Sequence, residues 1–186
     1  MDTTTTTTTT TTARPGLDRL VLQLREVMGE PGNPHRTAVR VADVLRSARP
    51  TPAILTAEER SGDPTGYIGH LLHAEADFSI TAVVWRPDQG TEIHDHIAWC
   101  AFVVLQGVEY ETLYLDHGDH LTEIGRNANG AGVVSAFAPP GDIHRVHNTG
   151  TTTAISLHVY GADLSAVKNS SIRRTYRLPV RPARVG

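Results

Sequence analysis

Apolar residues recur at helical spacing through Leu17, Leu20, Val21, Leu24, Val27 and Met28, and Gly29 with Pro31 and Gly32 closes the run, which predicts a first helix. Asn33 ahead of Pro34 has the form of an N-cap followed by proline at the first helical position. Ala38, Val41, Ala42 and Leu45 then supply the stripe of a second helix that ends before Pro50. Thr56 and Glu59 have capping-box spacing and predict a third, short turn. After Gly66 the texture changes to short β-rich runs, at about residues 67–73, 78–86, 92–96, 99–106, 108–115, 132–137, 143–147 and 154–160, with 173–178 as a last strand. Glycine, proline, aspartate and asparagine separate them. Many short strands punctuated by turns predict a sandwich or barrel, spanning about residues 66–178 behind two or three short N-terminal helices.

The flanks carry no such pattern. The threonine run Thr3 to Thr12 has no apolar face to bury, so residues 1–15 are expected to be a disordered tail, with 16–186 forming one domain. Pro179, Pro182 and Gly186 predict a frayed end. A length of 186 residues suits one domain, and a formal charge of −3 without a long basic run argues against nucleic acid or an anionic membrane as the main partner. Small-molecule chemistry is the expectation. The N-terminus shows no charged n-region with an apolar h-region, and no run is long enough to span a membrane, which points to the cytoplasm. The single cysteine, Cys100, suits a reducing compartment. Nothing in the pattern sets the oligomeric state.

The chemistry concentrates in His94-Asp95-His96, answered by His144. Two histidines one residue apart on a strand share a face, so both imidazoles can hold one ion, with His144 as the third ligand from another strand. Three protein ligands leave positions open for substrate or oxygen, the mark of a catalytic site. His70, His73, His117, His120 and His147 taken singly read as ordinary surface or core histidines.

Pro87, His94, His96, Cys100 and Gly107, followed by Gly132, Pro139, Gly141, His144 and Asn148, resemble the paired motifs of the cupin superfamily, a jelly-roll barrel around a metal. Cys100 stands where cupins generally carry a glutamate ligand. Leu105 to Tyr114, His144 to Asn148, and Ser156-Leu157-His158-Val159-Tyr160 narrow the resemblance to the cysteine dioxygenase family of thiol dioxygenases, over roughly residues 17–178. That resemblance implies Fe(II) held by His94, His96 and His144, with nickel, cobalt, copper or zinc not distinguished by the imidazoles. It implies a small thiol and dioxygen as partners, a sulfinate as product, and a hydrogen-bonded relay of Ser156, His158 and Tyr160. Period 2 puts the three relay side chains on one face, but does not say which face meets the cavity. In the mammalian-type enzymes a cysteine at this motif position forms a thioether with the relay tyrosine. For Cys100 and Tyr160 two readings stay open, that crosslink or an inert buried thiol.

One position departs from the family. Where a carboxylate-binding arginine or a glutamine stands two residues after a tyrosine, this chain has Tyr67 followed by Gly69. A planar guanidinium grips a carboxylate bidentately, and glycine has nothing to replace it. His70, His73, Arg86, Arg145, Arg173, Arg174 and Arg177 are candidates to substitute. Tyr67 and His70 are candidates for the substrate wall, and Trp99 could close the cavity. The expected function is therefore an iron-dependent oxygenation of L-cysteine or a close small thiol. An alternative is an atypical oxidation of cysteine, such as decarboxylation with sulfonamide formation, because the carboxylate clamp is missing. A non-catalytic metal-binding cupin is the rival from another class, and it would need no relay. Dioxygenases of the acireductone or quercetin type normally keep the carboxylate ligand.

Overall fold

The computed structural model describes residues 13–168 and 170–182. The threonine run and the last residues around Gly186, both expected to be disordered or frayed, lie outside the described residues. Helix α1 (Leu17–Met28) and helix α2 (Pro34–Ala48) form where the apolar stripes predict. The Asn33 side chain accepts from the Arg36 N–H at 2.9 Å, Pro34 sits in the first turn, and left-handed Arg49 ends α2. Helix α3 (Ala57–Ser61) opens with the expected capping box between Thr56 and Glu59. Glu59 also receives Arg14 at 2.7 Å, which ties the start of the chain to this turn.

Among the described residues eleven strands follow: β1 (Ile68–Glu75), β2 (Phe78–Trp85), β3 (His94–His96), β4 (Cys100–Gln106), β5 (Val108–Asp116), β6 (Leu121–Gly130), β7 (Val134–Phe137), β8 (His144–His147), β9 (Ala154–Tyr160), β10 (Ile172–Thr175) and β11 (Val180–Arg181). They build a five-stranded sheet in the order β1-β2-β9-β4-β7 and a six-stranded sheet in the order β10-β3-β8-β5-β6-β11. Pairing is antiparallel except for β11 on β6. The protein is mostly β, with the helices ahead of the two sheets, as the jelly-roll expectation requires.

Both faces of the five-stranded sheet are buried, for different reasons. Its outer face, with Phe78, Ile80 and Val84 on β2, Ala101 and Val103 on β4, and Ile155, Leu157 and Val159 on β9, packs under Leu20, Leu24, Val41 and Leu45 of the two helices. Each of these large aliphatic side chains contributes about 1.5–3 kcal/mol by leaving water. Alternation then turns Thr81, Val83, Trp85, Cys100, Phe102, Ser156, His158 and Tyr160 to the inner face. The helices thereby decide which side of β9 meets the cavity.

Two elements differ from the expectation. The sequence predicts no strand over residues 121–130, because Glu123, Gly125, Arg126, Asn127 and Asn129 give little β signal. Strand β6 forms there by pairing along the whole of β5. The expected frayed end instead adds β11, with the Leu121 N–H donating to the Pro179 carbonyl at 3.0 Å. Between β4 and β5 the chain turns at Gly107 with φ 72°, where an added Cβ would lie 2.8 Å from the Cα of Ala154. Only glycine accepts that conformation and that approach, which starts β5 beside the site.

Candidate metal centre

His94 and His96 project from β3 to one side, and the register of β3 on β8 places His144 directly opposite His94. The three potential ligand atoms lie within 4.8 Å of one another, and all three residues are buried. Each ring is held by its Nδ1. That of His94 meets the Glu92 carbonyl at 2.9 Å, that of His96 meets Asp142 Oδ2 at 3.0 Å, and that of His144 meets Glu111 Oε1 at 2.7 Å. A carbonyl or carboxylate oxygen only accepts, so Nδ1 carries the hydrogen and each Nε2 keeps its lone pair for a metal. Burial pushes His94 down to about 3, with His144 and His96 adding to the shift, and burial likewise lowers His96. Unprotonated imidazole is the form that ligates.

The supporting carboxylates stay charged. Burial would raise Asp142, but its hydrogen bonds with His96 and backbone N–H groups hold it below the usual carboxylate range. Glu111 behaves alike, with His144, Asn127 and Asn129 overcoming its burial. The donor set therefore fits a divalent metal. Three neutral imidazoles would ligate it, and two anions behind them offset part of its charge. The sequence alone assigns no role to Glu111 or Asp142. Their role follows only from β5 pairing with β8 and from the turn before β8, which no local pattern announces.

Beside this centre Ser156 Oγ lies 2.8 Å from His158 Nε2, and Tyr160 OH lies 3.3 Å from His158 Nδ1. The Trp85 indole N–H donates to Ser156 Oγ at 3.4 Å. Burial pushes His158 down to about 3, with His96 and His144 reinforcing it, so the ring is neutral and has one donor and one acceptor nitrogen. The Tyr160 ring stacks 6.0 Å from that of His96, which brings the end of this hydrogen-bonded row to the three histidines. Cys100 Sγ lies 3.7 Å from His158 Nδ1 and outside the histidine cluster.

A cavity of about 150 Å³ opens onto the three histidines, His158 and Tyr160. That is small beside drug-sized sites of roughly 300–1,000 Å³ and suits a substrate of a few heavy atoms. Tyr67 lines it, stacked on Trp85 at 4.6 Å, and so does Gly69. Thr81, Thr91, Ser170 and Ser171 add hydroxyls, and the Thr81 Oγ1 is buried without a partner. Among the described residues, no arginine, lysine, aspartate or glutamate lines the cavity.

His70 and Trp99, expected near the substrate, do not line it. Alternation along β1 turns His70 away from the Gly69 side toward Glu59, 3.9 Å distant. Trp99 belongs to the core under the helices, with Gly161 packed on its indole. None of the candidate substitutes for the clamp reaches the cavity either. His73 meets Glu75 at 3.4 Å, and Arg86, Arg145 and Arg177 are exposed. Arg173 and Arg174 instead converge on Asp95, between the two metal-facing histidines of β3. The Arg173 Nε donates to Asp95 Oδ1 at 3.1 Å and the Tyr176 hydroxyl to Oδ2 at 2.8 Å, which fastens β10 to β3.

Comparison with known proteins agrees with this arrangement. The family model described as cysteine dioxygenase type I matches residues 37–173. Among solved structures, a protein of Thermus thermophilus is 16% identical over 58% of this chain and 96% of its own, with a TM-score of 0.45. An uncharacterized conserved protein with a double-stranded β-helix domain from Klebsiella pneumoniae is 19% identical over 59% of this chain and 84% of its own, with a TM-score of 0.46. A recombinant oxalate oxidase in complex with glycolate is 19% identical, and the match covers 54% of this chain and 53% of that one, with a TM-score of 0.43. The family match extends from α2 to β10 and includes His94, His96, His144, Ser156, His158 and Tyr160, and the chain belongs to the cysteine dioxygenase type I family of cupins.

Proposed function

We propose that this protein is a mononuclear non-haem iron oxygenase that oxidises the sulfur of L-cysteine or a close small thiol with dioxygen. The observation that carries the reading is the convergence of His94, His96 and His144 on the same small cavity that Tyr160, His158 and Ser156 border. Fe(II) is the cofactor that this reading assigns to the three histidines. When bound, it supplies the redox chemistry by which a thiol and dioxygen react.

The chain's own residues do the remaining work. Glu111, Asp142 and the Glu92 carbonyl fix the imidazoles before any ligand arrives. Tyr160 presents a hydroxyl to the reacting groups, and His158 and Ser156 hold its orientation. Phe137, Trp85 and Tyr67 wall off water. The unpartnered Thr81 hydroxyl offers a hydrogen bond to a polar group of the substrate. Oxygen uptake by Fe(II)-loaded protein with cysteine, cysteamine, 3-mercaptopropionate and homocysteine, with products identified by mass, tests the reading. Uptake with none of them, or an equal response from protein lacking His94, would overturn it and leave a non-catalytic metal-binding cupin.

A second reading is favoured by one observation, the absence of any cationic side chain from the cavity among the described residues. A cysteine bound through its sulfur would keep a carboxylate without a charged clamp, which is compatible with an oxidation that releases it and forms a sulfonamide. Carbon dioxide release and the product mass distinguish this reaction from sulfinate formation.

A further inference from the structure

Alternation along β2 turns Ser79, Thr81, Val83 and Trp85 to the inside of the barrel, and the two hydroxyls among them meet different fates. The Ser79 hydroxyl is used twice, donating to the Ala162 carbonyl at 2.8 Å and accepting from the Leu164 N–H at 2.9 Å. The Thr81 hydroxyl is not used. Thr81 is 7% exposed, and among the described residues it is the one side chain lining the cavity whose buried polar atom has no partner. A hydroxyl buried without a partner is costly, and a ligand entering the cavity can supply one.

The position of Thr81 in the fold defines which part of a ligand it meets. In register it stands opposite Leu71 of β1 and His158 of β9, and a Cβ added at Gly69 would meet its methyl at 3.3 Å. The methyl is thus the branch beside the space that glycine leaves, and one staggered step about χ1 brings the hydroxyl there. His94, His96 and His144 belong to the six-stranded sheet, whereas Gly69 and Thr81 belong to the five-stranded one, so the two sets face each other across the cavity. Near Thr81, Gly69 has no side chain and Val83 has no polar side-chain atom, and among the described residues no arginine, lysine, aspartate or glutamate lines the cavity.

We propose that Thr81 is the specificity-determining residue of this cavity, and that the substrate is a small thiol whose end remote from sulfur carries a hydrogen-bond acceptor, with charge giving it no advantage. The inference rests on the thiol-oxygenase reading of the site, in which sulfur is held at the three histidines and the other end of the molecule turns toward β1 and β2. An arginine at position 69 would select a carboxylate by its charge and its bidentate grip. A threonine donates one hydrogen bond to a carboxylate or a carboxamide alike. The carboxylate makes the stronger bond, but it also gives up more hydration on entering a cavity without a cation, and the two effects offset. A thiol with no acceptor at this end gains neither.

Anaerobic titration calorimetry of Fe(II)-loaded protein with L-cysteine, L-cysteinamide and cysteamine compares a carboxylate, its uncharged isostere and neither group on one aminothiol. The amide should bind at least as tightly as cysteine, and both about 2- to 10-fold more tightly than cysteamine, the worth of one hydrogen bond. Thr81→Val keeps the shape without the hydroxyl and should lose that preference while leaving the Kd for cysteamine unchanged, and Thr81→Ser should retain it. A second readout needs neither metal nor thiol. Because it removes a hydroxyl that has no partner, Thr81→Val should not lower the thermal unfolding midpoint of the metal-free protein.

Cysteine bound more than about 10-fold more tightly than its amide would show that charge is recognised after all and would overturn the proposal. So would a preference over cysteamine that survives in Thr81→Val, or a lowered midpoint in that variant, which would mean the hydroxyl is already paired. Wild-type protein that binds none of the three thiols would instead overturn the oxygenase reading, and the substrate class named here with it.

Discussion

Cys100 and Tyr160 stand opposite one another on adjacent strands, as Cα partners in the register of β4 on β9, with both side chains on the inner face of the sheet. Burial pushes the Cys100 thiol well up, so it is poorly reactive toward outside reagents while remaining beside the tyrosine ring. A thioether between them is the expected result of aerobic turnover in iron-loaded protein. The intact mass should fall by two hydrogens, and Cys100→Ser should show no loss. An unmodified Tyr160 peptide after many turnovers would leave Cys100 as an inert core thiol.

Glu111 and Asp142 should prove nearly as important to metal retention as the histidines. Glu111→Gln and Asp142→Asn keep a hydrogen-bond acceptor but lose the charge behind His144 and His96. Metal affinity should fall by about 10- to 100-fold in each, measured by competition with a chelator, while His144→Ala should abolish binding in the same assay.

Asp95 links folding to pH. Although burial alone would raise it, Arg173, Tyr176 and Arg174 hold its carboxyl down to about 2. The folded value lies below the unfolded value of about 3.9, so its stabilising contribution is complete above about pH 4 and is lost as the pH falls toward 2. Asp95→Asn should unfold at lower urea concentration than the wild type at pH 7, and the gap should narrow between pH 4 and 2. A constant gap would show that charge is not what binds β10 to β3.

Gly69 can be used to restore what the family usually places there. An added Cβ would meet the Thr81 methyl at 3.3 Å, a tight but adjustable contact, so Gly69→Arg should be accommodated. A guanidinium in the cavity should lower the KM for cysteine relative to cysteamine, which has no carboxylate. An unchanged ratio would place the substrate carboxylate away from β1.

Gly161 is a packing position rather than a flexible one. A Cβ there would lie 2.1 Å from Trp99 Nε1, inside the core under the helices. Gly161→Ala should destabilise the protein by about 1–3 kcal/mol, visible in thermal unfolding, with metal affinity unchanged.

The parts of the site legible in the sequence are those written in local patterns. Helix caps at Asn33 and Thr56, the alternation of His94 and His96, and the spacing of Ser156, His158 and Tyr160 all depend on neighbours within a few residues. Which face of β9 meets the cavity is not legible, because Ile155, Leu157 and Val159 find their cover only when α1 and α2 fold over them. Glu111 and Asp142 are invisible as supporting residues for the same reason, since the histidines they hold lie far from them in sequence. Strand β6 escapes sequence reading because its pairing with β5 overrides a composition rich in glycine and asparagine. The arginines at 173 and 174 look like free cations in the sequence, yet each is committed to Asp95.

The fastening of β10 to β3 also has a schedule. Arg173 follows Asp95 by 78 positions, so at roughly 5–20 residues per second the strand carrying two histidines is made several seconds before the strand that will cover its edge. Ser170, Ser171 and Ile172, which border the cavity, arrive in the same late segment. Until then β3 lacks the strand that pairs along its other edge, and Asp95 lacks the two guanidiniums that offset its charge.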